Sequence, residues 1–309
     1  MSLVPIVLFV YNRPDHALIT LEALKGNTLA AESELFIYCD NYKTNASETD
    51  IAKVSEVRAL VSKIEGFKRL EIIERDRNWG LADSIVDGVS SILESYESVI
   101  VLEDDILTSP GFLQYMNDAL NLYKNEDQVM HVSGYMFPVE VNEKESTFFY
   151  NTASCWGWGT WRRAWEKYEG DAKKLHDAII EDGKVKEFSI GGHADFFDQI
   201  EANIKGDIKT WAVKWYASFF LHEGLALHPL KSLTNNIGHD NTGDNCVTTD
   251  LYNTGELSKS VALKKVPLVT SKKAWRAMRH FYRMNNTYHK SGRLTKIVYK
   301  VFNLLHQVF

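Results

Sequence analysis

Three consecutive carboxylates, Glu103, Asp104 and Asp105, close the apolar run Val99-Ile100-Val101-Leu102 and precede Ile106. A mostly β-branched run of this kind reads as a strand buried on both faces, so the charges fall at its carboxyl end. In an open α/β sheet that edge is where ligands bind. Three adjacent like charges repel one another, and a hard divalent cation, which prefers carboxylate oxygens, would neutralise them. The same residues also fit a carboxylate pair for acid–base work, or a solvated acidic turn that caps the following helix.

A ligand site needs further polar groups at the same edge, and these stand at the ends of successive predicted strands. Pro5 to Val10 reads as a strand followed by Tyr11-Asn12-Arg13-Pro14-Asp15, where Pro14 opens a helix to about Leu24. Asn12 and Arg13 can contact a phosphate or nucleotide, although no glycine-rich loop follows the strand, so neither a P-loop nor a dinucleotide fingerprint is present. Glu34 to Cys39 is a second strand that ends in Asp40-Asn41, and Asp40 fits either a hydrogen bond to a base or ribose or a plain turn. A helix from about Glu48 to Lys63 leads to the strand Leu70 to Glu74, then to Asn78-Trp79-Gly80 and a helix to about Ser95. Asp83, in the first turn of that helix, would face the sheet edge or simply complement the helix dipole. Strand and helix alternate through four strands, which predicts an α/β fold with a parallel, doubly wound sheet and a nucleotide-sized crevice above it.

The 309 residues are 45% hydrophobic and 25% charged, enough for one large domain or two small ones. Cys39, Cys155 and Cys246 are odd in number and far apart, so no disulfide framework or zinc-finger spacing is available and a reducing compartment is expected. Val4 to Val10 is too short and lacks a basic leader for a signal peptide, and no apolar stretch reaches transmembrane length, so a cytoplasmic location is expected. The net charge of −6 is unevenly spread: Leu257 to Phe309 holds twelve Lys or Arg and no acid, leaving 23 basic and 41 acidic residues before it. Within that tail, Trp275 to Phe281 and Leu294 to Phe309 read as basic, aromatic-rich helices suited to peripheral contact with a membrane surface, or to packing back on the domain. The tail matches no nucleic-acid module.

Taken in order, Asn12-Arg13, Asp40, Asp83 and Glu103-Asp104-Asp105-Ile106 with Ser109-Pro110-Gly111-Phe112 resemble the GT-A glycosyltransferases. The nearest branch is that of the inverting β-1,2-N-acetylglucosaminyltransferase I. The resemblance continues through Val132-Ser133-Gly134-Tyr135, Phe148 to Thr152 and Gly157-Trp158-Gly159, and covers roughly residues 4 to 165. It implies a GT-A-like catalytic domain over residues 1–256, with a nucleotide-binding half to about 130, an acceptor half after it and a helical, charged insertion at about 171–208; the basic helical tail from 257 is set apart from it by its charge. It also implies a nucleotide-diphosphosugar donor, in this branch a UDP sugar, held with Mn²⁺ or Mg²⁺. Carried over residue by residue, Asp40 would meet the base, Asn12 and Arg13 the nucleotide, Asp83 the base or pyrophosphate, Asp104 the ribose or sugar, and Asp105 the metal. His239, in the glycine-bracketed loop Asn235 to Asp244, would close on the metal or pyrophosphate.

Trp156, Trp158 and Trp161, with Trp211 later in the chain, could form a platform for donor or acceptor sugar, or could be core. The chain departs from the branch at Trp211 to Trp215, where Ala212, Val213 and Lys214 stand in place of carboxylates, one of them the branch's base. The nearby carboxylates are Asp195, Asp198, Asp207 and Glu223, of which Asp207 is the leading choice for catalytic base. The expectation is a metal-dependent, inverting transfer to a glycan or lipid-linked acceptor. Two other classes compete: a catalytically inactive nucleotide-sugar or glycan-binding module, and a nucleotidyltransferase, whose usual triphosphate loop is missing after the first strand.

Overall fold

The computed structural model describes residues 3–240 and 249–285. Cys246 and the expected helix Leu294 to Phe309 lie outside the described residues. Uninterrupted apolar runs form the centre: β1 (Ile6–Val10) buries all five side chains, and β4 (Ser98–Glu103) buries Val99 to Leu102, as strands covered on both faces require. They pair in parallel with each other, and β1 pairs with β2 (Glu34–Cys39), which pairs with β3 (Arg69–Glu74). Beyond β4 the sheet becomes mixed. β8 (Trp158–Trp161) runs antiparallel between β4 and β6 (Val129–Ser133), β9 (Leu225–Pro229) lies parallel to β6, and β7 (Thr147–Tyr150) closes the edge antiparallel to β9. The order is β3-β2-β1-β4-β8-β6-β9-β7, and a separate antiparallel pair joins β5 (Ile106–Thr108) to β10 (Thr234–Asn236). The fold is thus α/β and Rossmann-like, with a mostly parallel sheet.

Alternation along β1 divides the core between two helical layers. Ile6, Leu8 and Val10 face α1 (Pro14–Lys25), α2 (Glu48–Val61) and α4 (Phe112–Leu122). Val7 and Phe9 face α3 (Leu81–Ser95), α5 (Arg162–Trp165), α6 (Ala172–Glu181), α7 (Val185–Phe188), α8 (Phe196–Lys205) and α9 (Ala212–Leu221). The expected insertion at 171–208 is helical, as α6 to α8. Leu175, Ile179, Phe188 and Ile200 are all within 2% of full burial and belong to the sheet's own core.

The boundary expected at residue 257 is not a structural one, because residues 257–285 pack on the body. The Lys259 carbonyl would lie 2.2 Å from a Cβ on Gly111, so only glycine lets the two backbones approach there. The Ser258 and Ser271 amides donate to the carbonyls of Ser232 and Phe149, and the Val266 amide donates to the Tyr123 hydroxyl. Residues 272–285 form a further helix, α10. Its Ala274 and Met278 join Met136, Phe148 and Tyr150 in a third apolar cluster. The basic composition obscures this because the cations point outward while every third or fourth residue is apolar and points in. Met278→Ala should therefore lower the unfolding free energy by about 2–4 kcal/mol, the cost of a large-to-small core change. Urea unfolding of the full chain measures it, and an unchanged midpoint would mean that α10 does not contribute to the folded body.

Candidate active site

The strand order 3-2-1-4 reverses direction between β1 and β4, and the loops leaving their carboxyl ends bound the crevice of such a sheet. Those loops carry Asn12-Arg13 and Asp104-Asp105. Arg13 Nη2 donates to both carboxylates, to Asp104 Oδ1 and at 2.9 Å to Asp105 Oδ2. The Thr20 hydroxyl of α1 donates to the Asp104 carbonyl at 2.8 Å and anchors the second loop to the first helix. The β5–β10 ladder then delivers the late loop: the Ile237 amide donates to the Asp105 carbonyl, which places Gly238 and His239 over the cluster. A Cβ on Gly238 would lie 2.1 Å from Asp105 Oδ2 and 2.8 Å from Arg13 Nη1, so a side chain there would collide with the ion pair.

Burial governs the electrostatics. It raises Glu103 well above the usual carboxylate range, with Asp105 and Asp104 adding repulsion. It raises Asp104 too, against the pull of Arg13. For Arg13, burial opposes the charge, yet the two carboxylates outweigh it and hold the guanidinium firmly protonated. Arg13 Nη1, Asp105 Oδ1 and both ring nitrogens of His239 are buried without a hydrogen-bond partner among the described residues. The His239 ring is walled by Trp156 and Tyr252, with centroids at 5.3 and 5.4 Å, and Trp156 meets Tyr135 edge-on at 4.6 Å. Among the described residues no three His, Cys, Asp or Glu side chains converge as a metal-ligand set. Asp105 Oδ1 and the His239 ring nitrogens are each left unsatisfied among the described residues.

The other sequence-selected residues divide. Asn12 sits in the β1–α1 turn beside Arg13. Asp40 is buried and already engaged: it accepts from the amides of Asn41, Trp79 and Gly80 and from Asn78 Nδ2. It ties the end of β2 to the β3–α3 turn, the turn alternative raised from the sequence. Asp83 is exposed and pairs with Lys209. Of the tryptophans, only Trp156 borders the site. Trp158, Trp161 and Trp211 are 0 to 3% exposed, and a ring sealed in the core has no face to offer a sugar. Trp158 stacks on Trp211 and His131, while Trp161 Nε1 donates to the Leu120 carbonyl. Asp207 is exposed after α8 and its carboxylate has no hydrogen bond or ion pair among the described residues. Asp198 is exposed, and Glu223 precedes β9 at the opposite edge of the sheet. Asp195 is the candidate whose charge reaches Tyr252 of the aromatic wall.

Sequence reasoning did not find Gly238, Tyr135 or Tyr252. The glycine beside His239 was the available signal, since a glycine next to a candidate ligand marks close backbone approach. No protein-family model matches the chain, and no curated protein matches it. Among the described residues no helix is long and apolar enough to cross a membrane.

Two buried histidines beneath the site give a pH test. His131 accepts from Trp215 Nε1 at 3.1 Å and lies 3.0 Å from the Ser154 carbonyl, and His228 Nε2 lies 2.9 Å from the Thr152 carbonyl. Burial lowers them to about 3 and about 4, from an ordinary 6.5. A depressed histidine contributes stability that is present above pH 6.5 and lost as pH falls toward the folded value, because only the unfolded chain takes up the proton. Each ring should contribute a fall of up to about 1.4 kcal/mol in unfolding free energy per pH unit below 6, while the raised Glu103 and Asp104 carboxylates contribute a rise over the same range. Histidine ring-nitrogen chemical shifts of the folded protein, followed by NMR from pH 7 to 5, separate the two; a ring that protonates near pH 6 would not be held neutral.

Proposed function

We propose that this chain is a metal-dependent glycosyltransferase with a GT-A-like catalytic frame, moving a sugar from a nucleotide-diphosphate donor, a UDP sugar in the first instance, to a glycan or lipid-linked acceptor. The reading is carried by buried polar atoms on the loops at this sheet edge that have no hydrogen-bond partner among the described residues: Asp105 Oδ1, Arg13 Nη1, which lies against Gly238, and the ring nitrogens of the adjoining His239. Buried polar atoms without partners cost about 1–3 kcal/mol each. A ligand that brings both anionic oxygens and a cation relieves all of them together, and a nucleotide diphosphate with a divalent metal is such a ligand.

Asp105 Oδ1 and His239 would hold Mn²⁺ or Mg²⁺, which when bound stabilises the charge growing on the leaving diphosphate. The chain's own residues prepare the position. Arg13 fixes the Asp105 carboxylate and offers a free N–H to a phosphate oxygen, Thr20 pins the loop, and Gly238 leaves room above it. Trp156, Tyr135 and Tyr252 wall the site against water. In an inverting transfer the acceptor hydroxyl oxygen attacks the anomeric carbon while a carboxylate takes its proton. Asp195 has the support of its field at Tyr252, and Asp207 is the alternative.

Thermal shift with UDP and UDP sugars, with and without Mn²⁺, tests the reading, since a ligand that binds only the folded state raises its stability by mass action. Metal-dependent stabilisation in the wild-type chain should vanish in Asp105→Asn; because Arg13 loses one of its two carboxylates there, the ligand-free melting point also falls, and the readout is the shift that ligand and metal add to it. Equal stabilisation of both would remove Asp105 from the site. Binding without release of nucleotide in the presence of any acceptor would favour the inactive binding module.

Membrane contact is part of the same proposal. The exposed cations Lys272, Arg276 and Arg279 lie along one face of α10, between the exposed apolar residues Val269 and Met284. Charge that attracts anionic headgroups, flanked by apolar side chains, suits an interfacial helix and would bring the enzyme to lipid-linked acceptors. Co-sedimentation with phosphatidylserine vesicles should be strong in low salt, lost in high salt, and reduced in Arg276→Glu. Indifference to vesicles at low salt would withdraw the membrane surface.

A further inference from the structure

An open depression of about 490 Å³ lies between the first turns of α6 and α9 and the end of α8, lined by Lys173, Lys209, Lys214, Asn203 and Asp171 among others. Its charges are unevenly satisfied. Lys173 pairs with Asp177 and Lys209 with Asp83. The single lining carboxylate, Asp171, is occupied as the cap of α6, accepting from the amides of Lys173 and Lys174. Lys214 is half-buried in the first turn of α9 and its ammonium has no hydrogen bond or ion pair among the described residues. The start of α9 also lacks a side-chain cap, so the positive end of its dipole adds to the same field.

The frame that holds these cations is rigid. Asn203 donates to the Thr210 hydroxyl at 2.9 Å and accepts from the Thr210 amide at 3.0 Å, which fixes the segment carrying Lys209 to α8. Trp211 and Trp215, buried on α9, fix the backbone on either side of Lys214. Lys209 in turn reaches Asp83 in the first turn of α3, directly after the turn tied to Asp40, so the depression opens on the same sheet edge as the Arg13 cluster.

We propose that this depression binds a phosphate group of the acceptor, held by Lys214 and Lys209 and by the amino-terminal end of α9. Only the identity of the phosphate's carrier rests on the transferase reading; the site itself rests on the cavity. Burial, and then the neighbouring Lys209, already lower the Lys214 pKa, which is the penalty that a bound anion would lift.

The test uses the full-length chain, inorganic phosphate as probe, low ionic strength and a chelator to remove divalent cations. Wild-type protein and Asp105→Asn should both be stabilised by phosphate, whereas Lys214→Gln and Lys209→Gln should bind it at least tenfold more weakly, and Lys214→Arg should keep most of the binding. Mn²⁺-dependent UDP binding should be unchanged in Lys214→Gln, so the two sites fail or hold separately. Phosphate affinity equal in wild type and both glutamine variants would overturn the proposal, as would loss of phosphate binding in Asp105→Asn. Acetate competing where phosphate does not would overturn it in favour of a carboxylate. Should Lys214→Gln fail to fold, Lys209→Gln carries the same comparison.

Discussion

One guanidinium shared between two buried carboxylates holds the centre of the molecule together. Arg13 leaves β1 and Asp104-Asp105 leave β4, and the parallel register that aligns Phe9 with Glu103 brings the two loops side by side. Such an arrangement is costly to interrupt, because removing one partner strands the other charge in a dry interior at about 3–5 kcal/mol. It is also incomplete. One nitrogen of Arg13 and one oxygen of Asp105 have no hydrogen-bond partner among the described residues, and Glu103 adds a further acid whose pKa burial raises. The cluster thus leaves hydrogen-bonding capacity unused at the carboxyl edge of the sheet.

The indole-rich segments follow from where β8 lies. As an antiparallel insertion between β4 and β6 it has helices on both sides, and all four of its residues are buried. Alternation sends Trp158 toward α9, where it meets Trp211, Trp215 and His131, and Trp161 toward α4. Trp211 and Trp215 are four residues apart and share one face of α9, which turns the intervening Lys214 away from the core and toward the depression beside α6. The same packing that buries three tryptophans therefore turns a lysine outward to the depression.

Much of the first half was legible in the sequence because its signals are local. Apolar runs end at Val10, Cys39, Glu74 and Glu103 as foreseen, Pro14 starts α1, and the acidic triplet falls at the carboxyl end of a central strand. What escaped depends on contacts between distant segments. Nothing near Trp158 announces that its strand is inserted in the middle of the sheet, and a Trp-Gly-Trp run reads equally as platform or core until its neighbours are known. Asp40 looked like a ligand because its four donors come mostly from the turn after β3, nearly forty residues on. The boundary at 257 was drawn from charge, and charge reports which side chains meet water, not where a helix packs.

Those late segments matter more to the site than their composition suggests. β10 pairs with β5, the three residues that directly follow the acidic triplet, so the loop bearing Gly238 and His239 can settle only once the chain has closed over more than a hundred residues. Tyr252 then packs on His239 from one side and on Phe281 of α10 from the other, while Phe137 touches both Tyr252 and Phe281. The wall of the site is in this way continuous with the apolar face of the basic helix. The apolar spacing of 274, 278 and 281 is what joins the basic helix to the aromatic contacts around His239.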